Sequence, residues 1–147
     1  MTTTPFEARI AKLEDIAAIQ DITARYGLSV NKGWLGKSVD PSAISAVFAA
    51  DAVWCDAARD VTLTGAQAIG VALAASVDTL DLAMHSFTNP VITVDGDTAT
   101  GQWLIWVAIK AGGAVAQVFQ AEDIGYVRTA HGWRIQSIDL HFGAMMP

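Results

Sequence analysis

Apolar and polar positions are most regularly patterned over the middle and end of the chain. Met84 to Val94 is rich in β-branched and aromatic residues, and Asp95-Gly96-Asp97 breaks it with the Asp-Gly pair that a tight hairpin turn favours. The following stretch, Thr98 to Ile109, is apolar on both faces and predicts a strand inside a sheet. Lys110-Ala111-Gly112-Gly113 is a turn, Ala114 to Arg128 a long strand, Thr129-Ala130-His131-Gly132 a second turn, and Trp133 to Phe142 a last strand. The second half therefore reads as four antiparallel strands.

The first half has helical spacing. Thr4-Pro5-Phe6-Glu7 combines a capping threonine, a proline at the first helical position and the acid of a capping box. Leu13, Ile16, Ile19 and Tyr26 then supply an apolar stripe, with Glu14, Asp15, Asp21 and Arg25 on a solvated face and Gly33 as terminator. Asp40-Pro41-Ser42 starts a short helix that buries Ala43, Ile44, Val47 and Phe48. Ala52 to Asp56 is a short strand, and Thr64 caps a third helix to about Ser76, with Ile69, Ala72 and Leu73 inward. Helices followed by strands indicate an α+β fold. A bent antiparallel sheet wrapped around the long helix makes a cone-shaped α+β barrel, with three helices on its concave side enclosing a pocket.

Composition narrows the function. At 147 residues, 52% hydrophobic and 16% charged, the chain is one ordered domain. A net charge of −6 without a basic run argues against nucleic acid and anionic membranes as partners. No apolar run reaches the length of a membrane span, and Met1-Thr2-Thr3-Thr4-Pro5 does not read as a signal peptide. Cys55 is alone, which rules out an internal disulfide, suits the reducing cytoplasm and reads as a small buried hydrophobe. The positive mean hydropathy fits an apolar pocket, a subunit interface, or both.

His85 is the only titratable group on the two arms of the central hairpin. Folding each hairpin at its glycine-containing turn pairs His85 near Val107, Trp103 near Glu122, and Glu122 near Ile138. Alternation then puts His85, Phe87, Asn89, Trp103, Ile105, Val107, Val118, Gln120, Glu122, Ile138, Leu140 and Phe142 on one face. A glutamate set between Trp103 and Ile138 would be desolvated, with its pKa raised; a one-residue bulge would instead turn Asp123 inward. Leu104, Trp106, Phe119 and His141 fall on the opposite face, where two copies can pack as an isologous dimer. Tyr26, Phe48 and Trp54 read as pocket wall or core, Arg128 and His131 as solvated, and Met145 and Met146 as a lid or a frayed end. His85, His131 and His141 lack metal-ligand spacing, no glycine-rich phosphate loop opens a helix, and no Gly-x-Ser-x-Gly elbow is present. The implied chemistry is cofactor-free acid–base work on a small apolar molecule.

Several stretches in this order resemble the SnoaL-like branch of the nuclear transport factor 2-like superfamily: Ala18 to Ile22 with Arg25-Tyr26, Val47 to Trp54, His85 with Thr88-Asn89-Pro90, Val94 to Asp97, and Gly132-Trp133-Arg134-Ile135. The resemblance implies the cone fold and a pocket lined by the His85 face. It also implies a role for His85: enzymes similar to scytalone dehydratase, bile-acid 7α-dehydratase and hexachlorocyclohexane dehydrochlorinase use a histidine on this strand, oriented by a carboxylate at the end of the first helix. That carboxylate position falls on Asn31, whose amide can orient an imidazole but supplies no charge, and the Glu122 position is usually aromatic in the dehydrochlorinases. Three readings follow. The first is a lyase or isomerase in which His85 abstracts a proton while Asn31, Tyr26 or Glu122 positions or protonates. The second is an epoxide-type hydrolase, and the third is a non-catalytic ligand-binding or structural subunit. The lining implied suits an aromatic, terpenoid, steroid or polyketide skeleton.

Overall fold

The computed structural model describes residues 4–147, so the N-terminal reading of Met1, Thr2 and Thr3 lies outside the described residues. Helix α1 (Pro5–Ser29) opens on a complete capping box: the Thr4 hydroxyl accepts the Glu7 amide and the Glu7 carboxylate accepts the Thr4 amide. Its apolar stripe is core only in the second half. Ile19, Ile22 and Tyr26 are buried, whereas Leu13 is 63% exposed. Gly33 does not terminate this helix, which ends at Ser29 with Val30 as cap. Gly33 instead holds φ +103° in the following segment, where a Cβ would sit 2.4 Å from the Asp81 carbonyl oxygen. That close approach accompanies a two-way backbone bridge between Lys32 and Ala83, with bonds of 3.0 and 2.9 Å.

Helix α2 (Pro41–Ser45) is capped by Asp40, which accepts the Ser42 amide at 2.9 Å. It buries Ile44 but leaves Ala43 exposed, and Val47 and Phe48 lead into strand β1 (Phe48–Asp56) rather than extending the helix. After a 3-10 turn (Ala57–Arg59), β2 (Val61–Thr64) folds back on β1. Thr64 is therefore a strand residue opposite Val53, and Gly65, at φ +92°, takes the cap position of α3 (Ala66–Asp78). Strand β2 has no counterpart in the sequence reading because four residues carry too little periodicity to stand out. Helices α2 and α3 cross closely at Gly70, where a Cβ would meet the Ser45 hydroxyl and the Pro41 carbonyl.

Strands β3 (Leu82–Asp95), β4 (Thr98–Ala111), β5 (Ala114–Thr129) and β6 (Gly132–Met146) form the antiparallel meander expected from the turns. The six strands lie in the order β2-β1-β6-β5-β4-β3, and β1 runs parallel to β6. The sheet is thus mixed, and it stays open, since β2 and β3 are its two edges. Register shifts between Thr88 and Val91, Phe119 and Gln120, and Gly125 and Tyr126 bend the strands.

The core lies between α1 and the covered part of this sheet. Tyr26 packs edge-on against Phe48 and Phe87, and Phe87 against Trp103. Beneath them the Trp103 indole N–H donates to the Tyr126 hydroxyl at 2.9 Å. The Thr23 hydroxyl donates to the Ile19 carbonyl, so Tyr126 donates to Thr23 at 2.7 Å. Every group in this buried chain is satisfied, which fixes α1 on the sheet.

Candidate active site

Because α1 covers only part of the concave face, the rest is left as a cavity of about 430 Å³. Its sheet side carries His85, Val107, Val118, Gln120, Glu122 and Leu140, and β1 adds Trp54 and Asp56. Leu73, Val77 and Leu80 close it from α3 and the loop that follows, and Tyr26 and Val30 from the end of α1. Among the described residues no group of His, Cys, Asp and Glu side chains is arranged to hold a metal ion.

His85 is fixed by Asn31. The Lys32–Ala83 bridge sets the residue after α1 beside β3, and the Asn31 side-chain oxygen accepts the His85 backbone N–H at 2.7 Å. The backbone donor requires the oxygen, not the amide nitrogen, at this position. The same oxygen lies 3.0 Å from His85 Nδ1. Nδ1 must therefore carry the proton, leaving the Nε2 lone pair without a protein partner among the described residues. Burial lowers the imidazole pKa from 6.5 to about 4, since no charge compensates the lost hydration of the cation. His85 is thus a neutral, poised acceptor at neutral pH, and a weak one.

Glu122 points inward. It sits opposite Trp103 on β4, as the turn positions predict, but opposite Leu140 on β6 rather than Ile138. The Thr129–Gly132 turn sets the pairing one residue beyond the expected register and the extra residue at the Gly125/Tyr126 shift adds another, so Ile138 faces Ile124. Glu122 is 2% exposed and its Oε2 has no hydrogen-bond partner. Burial raises its pKa from 4.5 to about 8, so the carboxyl holds its proton at neutral pH. Burial and the negative charge Glu122 would carry when ionised hold the Tyr26 hydroxyl well above its ordinary range.

The remaining wall residues divide. Tyr26, Trp54, Val107, Val118, Gln120 and Leu140 line the cavity. Phe48, Phe87, Trp103, Ile105 and Ile138 do not, because α1 and its contacts fill that part of the face. Phe142, opposite Gln120, is half-exposed and outside the lining: β1 stops pairing at Leu140, so beyond it β6 is flanked by β5 alone among the strands. Asn89 is exposed at φ +51° on the Thr88/Val91 bulge. Met145 and Met146 extend β6 opposite Val118 and Gln117 and do not line the cavity.

Two wall elements were not visible as such in the sequence. One is α3 with β2. The other is Asp56, 1% exposed, whose Oδ1 accepts the Ala58 and Arg59 amides at 3.1 and 3.3 Å. The alternation Ala52, Trp54, Asp56 was the available signal that Asp56 shares a face with Trp54. Arg128 is exposed, as read, whereas Asp15 is half-buried rather than solvated. They form a bidentate pair at 2.7 and 2.8 Å, and the guanidinium stacks 4.5 Å from the Trp133 ring, away from the cavity.

Comparison with solved structures finds the same architecture in several proteins. A protein from Kribbella flavida is 23% identical, with a TM-score of 0.80, covering 92% of this chain and 95% of the other. An NTF2-like protein with a cystatin-like fold from Novosphingobium aromaticivorans is 24% identical, with a TM-score of 0.78 and coverage of 97% and 92%. The hexachlorocyclohexane dehydrochlorinase LinA, type 2, is 19% identical, with a TM-score of 0.80 and coverage of 95% and 92%. Comparison with curated protein sequences gives no match. The profile of the SnoaL-like domain matches residues 11–139, most of the chain, and the chain belongs to that family.

Proposed function

We propose that the protein is a cofactor-independent lyase or isomerase that removes a proton from a small apolar molecule. The observation that carries this reading is the pairing of opposite roles in one cavity. His85 offers an unprotonated Nε2, and Glu122 offers a carboxylic acid that is still protonated at neutral pH. They lie on strands two apart and do not bond each other, so a substrate between them meets a base on one side and an acid on the other.

In the lyase form His85 Nε2 takes a proton from carbon, and the C–H electron pair becomes the new C=C bond. The leaving oxygen departs with its C–O pair and takes the Glu122 proton, releasing water. The proton on His85 then returns to Glu122 through solvent. In the isomerase form the oxygen stays, the Tyr26 hydroxyl and Glu122 stabilise the charge that develops on it, and His85 returns the proton to a different carbon as the C=C bond shifts. Asn31 holds the His85 tautomer in both. The apolar walls suit an aromatic, polyketide, terpenoid or steroid-like skeleton.

A second reading, a ligand-binding subunit without catalysis, draws on Asn31. A neutral amide in place of a carboxylate leaves His85 a weak base. The deciding experiment is turnover of dehydratable hydroxy-carbonyl compounds by the parent and His85→Ala. Loss of about a hundredfold or more supports proton abstraction; unchanged turnover, or none in the parent, leaves the binding reading.

The assembly proposed is a homodimer in the cytoplasm. Met84, Leu104, Trp106 and Phe119 form an exposed apolar patch opposite the cavity, bordered by the His141–Asp123 pair at 3.0 Å. A second copy can cover it by two-fold packing. No helix among the described residues is long and apolar enough to cross a membrane.

A further inference from the structure

Three buried side-chain atoms among the described residues lack a hydrogen-bond partner at full bonding geometry: Trp54 Nε1, which approaches the Tyr26 hydroxyl, Asp56 Oδ2 and Glu122 Oε2. All three residues line the same cavity. Folded proteins pair nearly all their buried polar groups, so such a concentration marks a place completed by a ligand. Glu122 is absorbed by the chemistry above. Trp54 and Asp56 are not.

The pair has a definite chemical character. Trp54 Nε1 can only donate, and the Asp56 carboxylate can only accept. Asp56 Oδ1 is occupied by two backbone amides, and the nearest cation to Oδ2 is Arg59 Nε at 3.4 Å, on a side chain that is 66% exposed. Asp56 faces Leu140 across β1 and β6, and Leu140 faces Glu122 across β6 and β5. Trp54 lies on the same face two residues before Asp56, about 6.7 Å away along the strand. A ligand hydroxyl donates to Asp56 Oδ2, and a second oxygen on an adjacent carbon can accept from the Trp54 indole N–H. A carbonyl or ether oxygen meets only Trp54.

We propose that Asp56, with Trp54 beside it, selects ligands that present a hydroxyl to the β1 wall of the cavity. The proposal rests on reading this cavity as the substrate site, and it deepens that reading by naming a second polar point on the ligand. Asp56 acts here as a specificity-determining acceptor and takes no part in the proton transfers assigned to His85 and Glu122.

The test is calorimetric binding of 2-naphthol and 2-methoxynaphthalene, bicyclic probes that differ in whether the oxygen can donate. The parent should bind 2-naphthol at least tenfold more tightly. Asp56→Asn keeps an oxygen for the Ala58 and Arg59 amides and puts an NH2 where Oδ2 stood, so the preference should fall below threefold or invert. Trp54→Phe should weaken both probes and keep the preference. His85→Ala should keep it too, which separates failure of this proposal from failure of the proton-abstraction reading. Equal binding of the two probes by the parent, no binding of either at millimolar concentration, or an undiminished preference in Asp56→Asn would overturn it. A purely structural role for Asp56 predicts that last outcome.

Discussion

The Asn31 side-chain oxygen accepts both the backbone N–H and the ring Nδ1–H of His85, at 2.7 and 3.0 Å, so one uncharged atom sets the strand position and the tautomer together. Asn31→Asp keeps that geometry and adds a negative charge against the imidazole. The His85 pKa should rise from about 4 by more than one unit. NMR titration of the His85 ring in parent and variant checks this; an unchanged value would contradict the contact. Asn31→Ala leaves the buried backbone N–H unpaired and should cost about 1–3 kcal/mol in urea unfolding.

Stability should depend on pH through the same two groups. His85 titrates at about 4 folded and 6.5 unfolded, so its contribution is lost as pH falls from 6.5 to 4. Glu122 titrates at about 8 folded and 4.5 unfolded, so its contribution is lost as pH rises from 4.5 to 8. Between 4.5 and 6.5 the two slopes oppose each other and stability is flat. Above 6.5 only Glu122 acts, and stability should fall by on the order of 2 kcal/mol by pH 8. Glu122→Gln should abolish that alkaline fall, as read by urea midpoints at pH 6, 7 and 8.

Activity should follow a bell whose limbs are reversed from the ordinary values of the residues. The acid limb should lie near 4, where His85 gains a proton, and the alkaline limb near 8, where Glu122 loses one. Glu122→Gln should remove the alkaline limb and lower kcat by about 10²–10⁴. A pH–rate profile of kcat/KM for both proteins tests this.

Asp15 and Arg128 join α1 to the β5–β6 turn, with Asp97 a further partner of Arg128 at 3.0 Å. Asp15 also accepts the Trp133 indole N–H at 3.0 Å. Asp15→Asn should destabilise by about 1 kcal/mol, less in 1 M salt, because Arg128 is partly solvated. Unfolding in low and high salt gives the comparison.

If the outer face of the sheet pairs two copies, Phe119→Lys should yield a monomer while leaving the cavity intact, since Phe119 and Glu122 point to opposite faces. The parent should bury more than about 1,000 Å² in the contact. Sedimentation at micromolar concentration distinguishes the two; a monomeric parent would remove the dimer.

Much of this was readable because hairpin geometry is local. Gly-containing turns placed Val107 opposite His85 and Glu122 opposite Trp103, and the Thr4–Glu7 capping box followed from four adjacent residues. Bulges were less readable. The turn pairing Thr129–Gly132 and the shift at Gly125/Tyr126 each moved the Glu122 partner on β6 by one residue, from Ile138 to Leu140, and no residue pattern announces an inserted position. Which face-sharing residues would be covered was also hidden, since Trp103 and Phe87 lost the cavity to α1, an element far away in sequence. Asp56 became part of the wall only through the parallel pairing of β1 with β6.

That parallel pairing has a consequence for the order of assembly. Strand β1 meets β5 only through β6, the last strand in the chain, so Trp54 and Asp56 stand apart from Glu122 until Leu140 arrives between them. The contact closes a loop of more than 80 residues, the kind of nonlocal step that comes late and slowly in folding. A nascent or C-terminally shortened chain can have β3 to β5 and its first helix and still lack the β1 wall of the cavity. Ligand capture thereby becomes a readout of completed folding.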